Sequence, residues 1–381
     1  MTAPTRLLPE GRDPAESLNL LHALRSGDWL DSQVFPDLQF AVPGLISEGA
    51  TLYCGSPKIG KSWSILDVLL AVASGGRAFG KIAVGPARPV LYLALEDSER
   101  RLQDRCRKLL DGDPIPPLFH FLTRVEPGTV FATVQAWLDG YDLDARPLIV
   151  VDTLGRVMPP TLPGESTYQR DYRIGAALKR LVDDFPGSSL VVVHHDRKAD
   201  SADFVDGVSG TNGLAGALDT VIVLSRNRHE SVAVLKVTGR DVPEGEYALT
   251  VLDGIRWTLD GPDLETAGRK AEAARLAEGL GDQSIDVLEY VNERPEGVTP
   301  KDVEIALDLT AARVYLDRLE KSGRIVKLRR GSYGPAKPLL LPLQVLQPDP
   351  PDSHSVLRGN GQHSKVTVDT EVTPVHRADY E

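Results

Sequence analysis

The amino-acid sequence predicts an α/β fold, in which a mostly parallel β-sheet is covered by helices on both faces and carries an antiparallel meander at its edge. Two observations lead to this prediction. Between residues 49 and 262, short apolar runs alternate with helical segments, which is the pattern of a parallel sheet buried on both sides. After residue 214, apolar runs follow one another across short turns, which is typical of antiparallel strands.

The elements of this domain follow in a regular order. The apolar runs predict parallel strands at 51–54, 90–95, 118–122, 147–151 and 189–194. The helical periodicity predicts helices at about 61–74, 98–110, 129–139 and 170–184. Gly75 is expected to end the first helix and Ser98 to cap the second. The meander is predicted at 221–224, 232–237, 247–252 and 255–259.

The flanking parts of the chain differ from this core. Residues 1–48 are predicted to form an extension with a short helix at 17–24. A linker helix within 263–283, rich in Ala, Glu and Arg, leads to a small unit at 284–335. Residues 336–381 are rich in Pro, Gln and Asp without a period, so we expect a mostly disordered tail.

The small unit is predicted to contain three helices, then a strand at 324–328, a turn at 331–332 and Tyr333. This is the outline of a winged helix-turn-helix. Its helices are expected at 284–292, 300–307 and 310–322. Thr299 should cap the second helix, and Gly323 should end the third. This fold serves either as a DNA reader or as a protein-docking or ring-stabilising module. Its expected DNA contacts are Arg313, Lys327, Arg329 and Arg330, although such charges also occur on ordinary solvated surfaces.

Composition limits the classes of function. The chain has 381 residues, 41% of them hydrophobic, and a net charge of −11, which argues against a protein that coats DNA with its whole surface. Cys54 and Cys106 have no metal-ligand spacing and are expected to be buried, reduced thiols. No signal-peptide core or membrane-length apolar run occurs, so we expect a cytoplasmic protein without a membrane partner.

The strand at 51–54 leads directly into a glycine-rich loop that opens the next helix. The loop reads Gly55-Ser56-Pro57-Lys58-Ile59-Gly60-Lys61-Ser62, and Trp63 follows it. In such a P-loop the glycines bring backbone N–H groups to the phosphates, the lysine reaches the β and γ oxygens, and the hydroxyl holds Mg²⁺. The sequence therefore predicts an ATP and Mg²⁺ site at 55–63, with a catalytic Lys61 and Ser62 as a metal ligand.

Two further strands end in carboxylates. Asp152 follows an apolar strand, where it would hold Mg²⁺ or, alternatively, cap a helix. Glu96 and Asp97 follow another strand, and parallel sheets place ligands at such strand ends. We expect Glu96 to be the base that activates water. Asp97 is expected to share the metal shell, with capping of the next helix as the alternative.

A third buried strand ends in a pair of imidazoles, His194 and His195. Next to a nucleotide, one of them, with His195 favoured, would sense the γ-phosphate by hydrogen bonding. A purely structural role is the alternative. Metal binding by the pair is disfavoured because no further Cys or His lies near in the sequence.

Together these motifs resemble those of RecA-like ATPases of the plasmid RepA hexameric-helicase type. The resemblance covers about residues 40–260 and rests on motifs at 55–62, 93–98, 151–153, 194–198, 207–210 and 238–241. It implies a RecA-like P-loop core, with Glu96 as catalytic glutamate, Asp152 as Walker B aspartate and His195 as sensor. It also implies a homo-oligomer, expected to be a hexamer.

Arg240 follows a strand of the meander, far in sequence from the P-loop. In the family that the chain resembles, such an arginine acts catalytically as a finger inserted into the site of the neighbouring subunit. A salt bridge to Asp241 or Glu244 is the alternative.

The resemblance further implies two loops that face single-stranded DNA in the pore of a ring. Residues 155–170 would contribute Arg156 and Arg170, and residues 197–213 would contribute Arg197 and Lys198. Three acidic residues in the second loop weaken its electrostatic case: Asp200, Asp203 and Asp206.

The predicted function is an ATP-driven, ring-forming DNA motor, a replicative helicase of a plasmid, phage or integrated element. Because no primase motif is present, a primase or replication-initiation partner is expected. The alternatives are an ATP-regulated DNA-binding regulator and a RecA-like recombination or signalling ATPase.

Overall fold

A computed structural model of the chain describes residue 21 and residues 23–195, 213–227 and 230–336. It divides into two compact units, Met1–Gly281 and Asp282–Glu381. Residues 337–381 of the predicted tail and most of the predicted helix at 17–24 lie outside the described residues. So do Arg197, Lys198 and the motif at 207–210.

The described strands of the first unit are β1 (Phe40–Val42), β2 (Ile46–Ser47), β3 (Gly49–Gly55), β4 (Arg77–Ala78), β5 (Ile82–Ala83), β6 (Val90–Ala94), β7 (Phe119–Leu122), β8 (Leu148–Asp152), β9 (Ser189–Val193), β10 (Thr220–Arg226), β11 (Val232–Gly239), β12 (Gly245–Leu252) and β13 (Arg256–Leu259). Nine of these form one sheet in the order β13-β12-β11-β10-β3-β9-β8-β6-β7. The pairs from β10 to β7 are all parallel, and those from β10 to β13 are antiparallel. The predicted mixed α/β sheet is thus confirmed.

The described helices of the first unit are α1 (Gly27–Asp31), α2 (Lys61–Ser74), α3 (Glu99–Leu109), α4 (Val130–Leu138), α5 (Thr167–Asp183), α6 (Gly213–Ala217) and α7 (Leu264–Ala277). The predicted ends at Gly75 and Ser98 are confirmed by a left-handed Gly75 and by a Ser98 hydroxyl that accepts from Arg101 N. Helix α5 begins three residues before its predicted start, because Ser166 and Gln169 form a capping box.

The core lies on both faces of the sheet, because successive side chains of a strand point to opposite sides. In β3, Tyr53 belongs to one buried cluster while Leu52 and Cys54 belong to the other. Cys54 and Cys106 are both buried and neither is in a disulfide bond, which agrees with the prediction. This alternation fixes which side chains lie under the strand ends where the site forms.

The parallel strands give the sheet two different edges. We call the edge where β3, β6, β8 and β9 end the carboxyl edge, and the edge where they begin the amino edge. The register pairs Tyr53 with Val193 and Ala94 with Asp152, so these four strands end at the same level. Because β11 runs antiparallel to β10, its end at Gly239 lies opposite Thr220, at the amino edge.

The second unit contains α8 (Asp282–Asn292), α9 (Pro300–Leu307) and α10 (Ala312–Lys321), followed by a hairpin of β14 (Ile325–Arg329) and β15 (Ser332–Pro335). The predicted cap at Thr299 is confirmed and is reinforced by a capping box with Asp302. Tyr333 ties the hairpin to α10, since its hydroxyl donates to Asp317 Oδ1 at 2.6 Å. None of the helices in the described ranges is long and apolar enough to span a membrane.

Candidate active site

The glycine-rich loop joins β3 to α2 at the carboxyl edge of the sheet, and two of its glycines are required by close packing. Gly55 has φ +156°, and a Cβ there would lie 2.6 Å from the Leu224 carbonyl oxygen. Gly60 has φ +109°, and its Cβ would lie 2.7 Å from the Trp257 ring. Both backbone conformations are costly for other residues, so the loop keeps its curl only with glycine. The packing of the Trp257 ring against Gly60 was not predicted from the sequence.

The other predicted loop residues differ in their environment. Lys58 is exposed and has a left-handed backbone, while Ile59 is buried in the core. Trp63 is half-buried, with the Arg105 guanidinium 5.2 Å from its ring centroid. The residues that remain open to a ligand are therefore in the loop backbone and the start of α2.

Lys61 is the first residue of α2 and is only 4% exposed. Its Nζ donates to the carbonyls of Gly55 at 2.6 Å and Ser56 at 3.0 Å. The same nitrogen lies 3.1 Å from His195 Nδ1. The ammonium is thus held inside the curl of the loop and is linked to the end of β9.

Asp152 ends β8 and is 3% exposed. Tyr92 donates a hydrogen bond of 2.7 Å to its Oδ2, whereas Oδ1 is buried and makes no hydrogen bond of ordinary geometry with the described residues. Burial raises the pKa of Asp152, while the Tyr92 hydrogen bond and the nearby Ser62 hydroxyl act in the opposite direction. The alternative role as a helix cap is not supported, because Thr153 occupies the cap position of the short 3-10 helix that follows, Leu154–Arg156.

The chemistry of Ser62 and Asp152 fits Mg²⁺, which prefers oxygen ligands and usually combines one or two carboxylates with phosphate oxygens and water. The unpartnered Oδ1 of Asp152 is the observation that supports this fit. The described residues contain no cluster of three or more His, Cys, Asp or Glu side chains that could hold a metal ion without a substrate.

Glu96 follows β6 and stands at the centre of the predicted catalytic residues. Its Oε1 accepts from Thr153 Oγ1 at 3.1 Å, and lies 3.8 Å from Arg156 Nε and 4.0 Å from His195 Nε2. The side chain is 43% exposed, so a water molecule can reach it. The carboxylate is therefore positioned to act as a general base at the strand ends.

Asp97 points into a different environment from that of Glu96. Arg101 lies 3.3 Å from its Oδ1 and Arg105 lies 2.5 Å from its Oδ2, and both arginines belong to α3. With both oxygens in ion pairs, Asp97 anchors α3. Its contacts therefore do not support the predicted place in the metal shell.

His195 bridges Lys61 and Glu96 through its two ring nitrogens. Partial burial lowers the pKa of His195, and the Lys61 charge lowers it further, while Glu96 and Asp152 oppose this shift. A neutral ring with Nδ1 accepting from the Lys61 ammonium carries its proton on Nε2, facing Glu96. His195 is thus placed where it can pass a change at the lysine to the carboxylate.

Arg240 lies at the amino edge, not at the site. Its backbone N–H donates to the Asp219 carbonyl, and its Nη1 lies 3.2 Å from Asp219 Oδ1. Asp219 therefore replaces Asp241 and Glu244, the partners considered from the sequence. The length of β3 separates Arg240 from the P-loop of its own chain by roughly 20 Å. The side chain is 62% exposed.

The residues of the first unit that were predicted to contact DNA lie in different environments. Arg156 lies beside Glu96, among the residues predicted to be catalytic. Arg170 is half-buried and paired with its neighbour Asp171 at 2.7 Å, which makes it a poor phosphate ligand in this arrangement. Arg197 and Lys198 lie outside the described residues.

The predicted DNA contacts in the second unit lie on α10 and the hairpin. Arg313 is exposed on α10, and Asp317 lies 3.9 Å away as its weak partner. Lys327 lies over the Tyr333 ring at 5.3 Å. Arg329 and Arg330 are exposed at the hairpin turn.

Sequence reasoning missed Tyr92, Thr153 and Asp219 as neighbours of the predicted site residues. One signal was available for Tyr92, because a tyrosine in a buried aliphatic strand needs a hydrogen-bond partner for its hydroxyl. No local pattern pointed to Asp219, whose partners come from distant parts of the chain.

The chain is similar to known proteins at the level of domain type and fold. A family profile described as AAA domain matches residues 14–201. No curated protein matches the sequence significantly. The structure is similar to a solved ATPase domain, with 10% identity and a TM-score of 0.46 over 65% of this chain and 99% of that one.

Two further solved structures are similar. One is a DnaB-like replicative helicase described with its interactions with primase, with 10% identity and a TM-score of 0.46 over 65% of this chain and 68% of that one. The other is the RadB recombinase, with 15% identity and a TM-score of 0.40 over 56% of this chain and 92% of that one.

Proposed function

We propose that this chain is a P-loop ATPase that works as a ring-forming DNA motor of the replicative-helicase type. The observation that carries the proposal is the chain of contacts from Lys61 through His195 to Glu96, beside the unpartnered Oδ1 of Asp152. A lysine inside a glycine-rich loop, a carboxylate for a cation and a second carboxylate open to water are the parts that phosphoryl transfer to water requires. The match to an AAA domain profile supports the same class of activity.

In the proposed mechanism each side chain has one task. The loop N–H groups and Lys61 bind the phosphates of ATP, so the ammonium exchanges its present carbonyl partners for phosphate oxygens. Glu96 orients the attacking water and accepts its proton. His195 senses that exchange because it contacts both Lys61 and Glu96. Mg²⁺, held by Ser62 and Asp152, would supply the positive charge that offsets the phosphate charges.

We further propose that two copies complete each site. Arg240 is exposed at the edge opposite its own P-loop, so it can serve only the site of a neighbouring copy. Four large apolar side chains near the N-terminus are also exposed, which supports an interface between copies: Trp29, Leu30, Val34 and Phe35. The proposed assembly is a closed ring, with six copies as the expected number.

Single-stranded DNA is the proposed track of the motor. Tyr168 and Tyr172 lie one turn apart at the start of α5, with their rings 6.3 Å apart, 18° from parallel and nearly half exposed. Exposed aromatic rings of this kind stack on bases irrespective of sequence. The nearby carboxylate of Glu165 is paired with Arg173, which lowers the repulsion of phosphates.

The second unit supports contact with DNA or with a protein of the same replication system. Three helices and a hairpin match the outline of a winged helix, and the cations of its α10 and hairpin are exposed. We propose that the chain serves a plasmid, phage or integrated element, as in the RepA-type helicases that its motifs resemble. A primase or replication-initiation protein is the proposed partner, because a helicase of the type that the motifs resemble needs a partner for priming.

The same unit favours a second candidate function, that of an ATP-regulated DNA-binding regulator. In this alternative the winged helix reads a duplex site and ATP controls assembly without movement along a strand.

An experiment separates the two candidates. The ATPase rate is measured with and without single-stranded DNA, together with the mass of the assembly with ATP, and Lys61→Ala serves as the inactive control. Strong stimulation and a six-subunit mass are expected for the motor. Slow hydrolysis that ignores single strands, combined with tight binding to one duplex sequence, would support the regulator. A chain that stays monomeric with ATP and DNA, or releases no phosphate, contradicts the motor.

A further inference from the structure

Tyr92 connects the two strands that carry the acidic residues of the site. It lies in β6, two residues before Ala94, and Ala94 pairs with Asp152 at the end of β8. Because alternate residues share a face of the sheet, the Tyr92 ring stands beside Asp152. Its hydroxyl donates to Asp152 Oδ2 at 2.7 Å, and Tyr92 itself is only 1% exposed.

This hydrogen bond has a fixed direction. The phenol donates and the carboxylate oxygen accepts, because an ionised carboxylate has no proton to give. Oδ2 is therefore occupied, and Oδ1 is the carboxylate oxygen that stays available. The terminal torsion of an aspartate is otherwise soft and nearly two-fold, so the two oxygens would exchange without such a bond.

The strand of Tyr92 also leads to Glu96. Leu95 N donates to the Asp152 carbonyl at 2.8 Å, immediately before Glu96. The main chain and the Tyr92 hydroxyl thus hold Asp152 from the same strand. A shift of either acid relative to the other must break one of these bonds.

We propose that Tyr92 is a positioning residue that fixes the Asp152 carboxylate, so that Oδ1 is the single oxygen presented to the cation that accompanies the nucleotide. This inference rests on the proposed ATPase function. Partners of metal ligands outside the ligand shell commonly change cation affinity by about 10- to 100-fold when they are removed.

The matched pair of variants is Tyr92→Phe and Tyr53→Phe. Each removes one buried hydroxyl and keeps the ring, and both tyrosines belong to the same core cluster. The Tyr53 hydroxyl lies 2.7 Å from Ser64 Oγ and makes no hydrogen bond with Asp152. The Tyr92 ring also packs against Phe119, with the centroids 6.3 Å apart, and this contact persists in Tyr92→Phe.

The experiment uses the full chain and a fluorescent ATP analogue, whose binding is followed while Mg²⁺ is titrated. We expect Tyr92→Phe to raise the half-saturating Mg²⁺ concentration about tenfold, without changing analogue affinity in the absence of Mg²⁺. Tyr53→Phe should leave the Mg²⁺ midpoint within about twofold of the wild type, because it removes no partner of Asp152. Equal midpoints for the two variants, whether shifted or unshifted, would overturn the role of Tyr92.

A double-mutant cycle adds a measurement that does not depend on the stability of one variant. If Tyr92 acts through Asp152, Tyr92→Phe should have no further effect on the Mg²⁺ midpoint in an Asp152→Asn background. An undiminished effect there would overturn the inference. A wild-type chain that binds the analogue with no response to Mg²⁺ would overturn the proposed ATPase and this inference together, whereas a normal wild type with an unaffected Tyr92→Phe removes the inference alone.

Discussion

At the carboxyl edge of the sheet His195 lies between two other predicted catalytic residues, Lys61 and Glu96. At the amino edge, by contrast, the Asp219 carboxylate pairs with two cations that differ in exposure, Lys179 and Arg240. Lys61 and Asp152 are buried at the carboxyl edge. At the other edge Asp219 accepts from Lys179 at 2.6 Å and from Arg240 at 3.2 Å, and Arg240 is 62% exposed. The carboxyl edge thus brings together most of the predicted site residues. The amino edge presents Arg240, whose side chain pairs with Asp219.

The topology explains this difference. Parallel strands bring the P-loop and the acidic strand ends to the carboxyl edge. The antiparallel β11 returns the chain to the amino edge, where Gly239 packs so closely that a Cβ would lie 2.6 Å from Thr220 Oγ1. The turn that carries Arg240 is therefore held firmly, while its guanidinium is exposed enough to meet a neighbour. In the proposed ring, the amino edge of one copy would meet the carboxyl edge of the next.

The largest expected effect comes from removing the exposed arginine at the amino edge. Arg240→Ala should lower DNA-stimulated ATP hydrolysis roughly 10³-fold or more, because an arginine supplied by a neighbour offsets charge in the transition state. Steady-state phosphate release measures the loss. Mixing this variant with Asp152→Asn should restore part of the rate, since mixed rings contain some intact sites.

A control variant distinguishes a role of Arg240 in a neighbouring copy from an effect on local stability at the amino edge. Lys179→Ala removes the other cation on Asp219 but leaves Arg240 in place. Its rate should stay within a few-fold of the wild type. If Lys179→Ala loses as much activity as Arg240→Ala, or if mixing restores nothing, then Arg240 does not act across copies.

The next largest effect is expected at the carboxyl edge, where a substitution of Glu96 should lower the rate but leave nucleotide binding intact. Glu96→Gln should lower kcat by about 10²- to 10⁴-fold, because the amide cannot accept a proton from water. The affinity for ATP, measured by equilibrium binding, should change little. The neighbouring Asp97→Asn is the control and should mainly lower the melting temperature, since Asp97 anchors α3. The reverse ranking of the two variants on kcat would assign the base to Asp97.

The sequence predicted β3, β6, β7, β8 and β9 to within one or two residues. All but β7 are buried apolar runs with a carboxylate, a loop or an imidazole at their end, whereas β7 is a partly exposed edge strand. For the same reason the cluster of Lys61, Glu96, Asp152 and His195 could be foreseen, since parallel strands end together. What the sequence did not reveal has two different causes. Arg240 meets Asp219 only through the strand register, which has no local pattern. Asp97 and Arg101 are four residues apart, so the local spacing already offered an ion pair as the alternative to metal binding.

A smaller effect is expected from variants that test whether the carboxyl edge also contacts DNA. Replacing Tyr168 and Tyr172 together with leucine should weaken single-stranded DNA binding about tenfold or more, because leucine keeps apolar contact but loses base stacking. Replacement of both with phenylalanine keeps the rings and should bind within about twofold of the wild type. Fluorescence anisotropy at several salt concentrations measures both.

The salt dependence provides the internal check for this pair. The slope of affinity against salt should be the same for all three proteins, because no cation has been removed. Equal binding by the leucine and phenylalanine variants would instead assign the tyrosines to a protein interface or to no contact at all.

The smallest expected effect concerns pH and belongs to the carboxyl edge alone. The pKa of His195 is lowered in the folded chain, so between that value and about 6.5 the unfolded chain binds more protons. Stability should therefore fall as the pH drops through this interval, by a small amount because the ring is 44% exposed. Protonation would also break the hydrogen bond from Lys61 to Nδ1, so activity should decline a few-fold with a midpoint below about 6.5. His195→Asn keeps a hydrogen-bond acceptor but cannot titrate, and its rate should be nearly flat from about pH 7.5 to about pH 5.5. An acid limb that persists unchanged in this variant would mean that a carboxylate, and not His195, sets the pH dependence of the site.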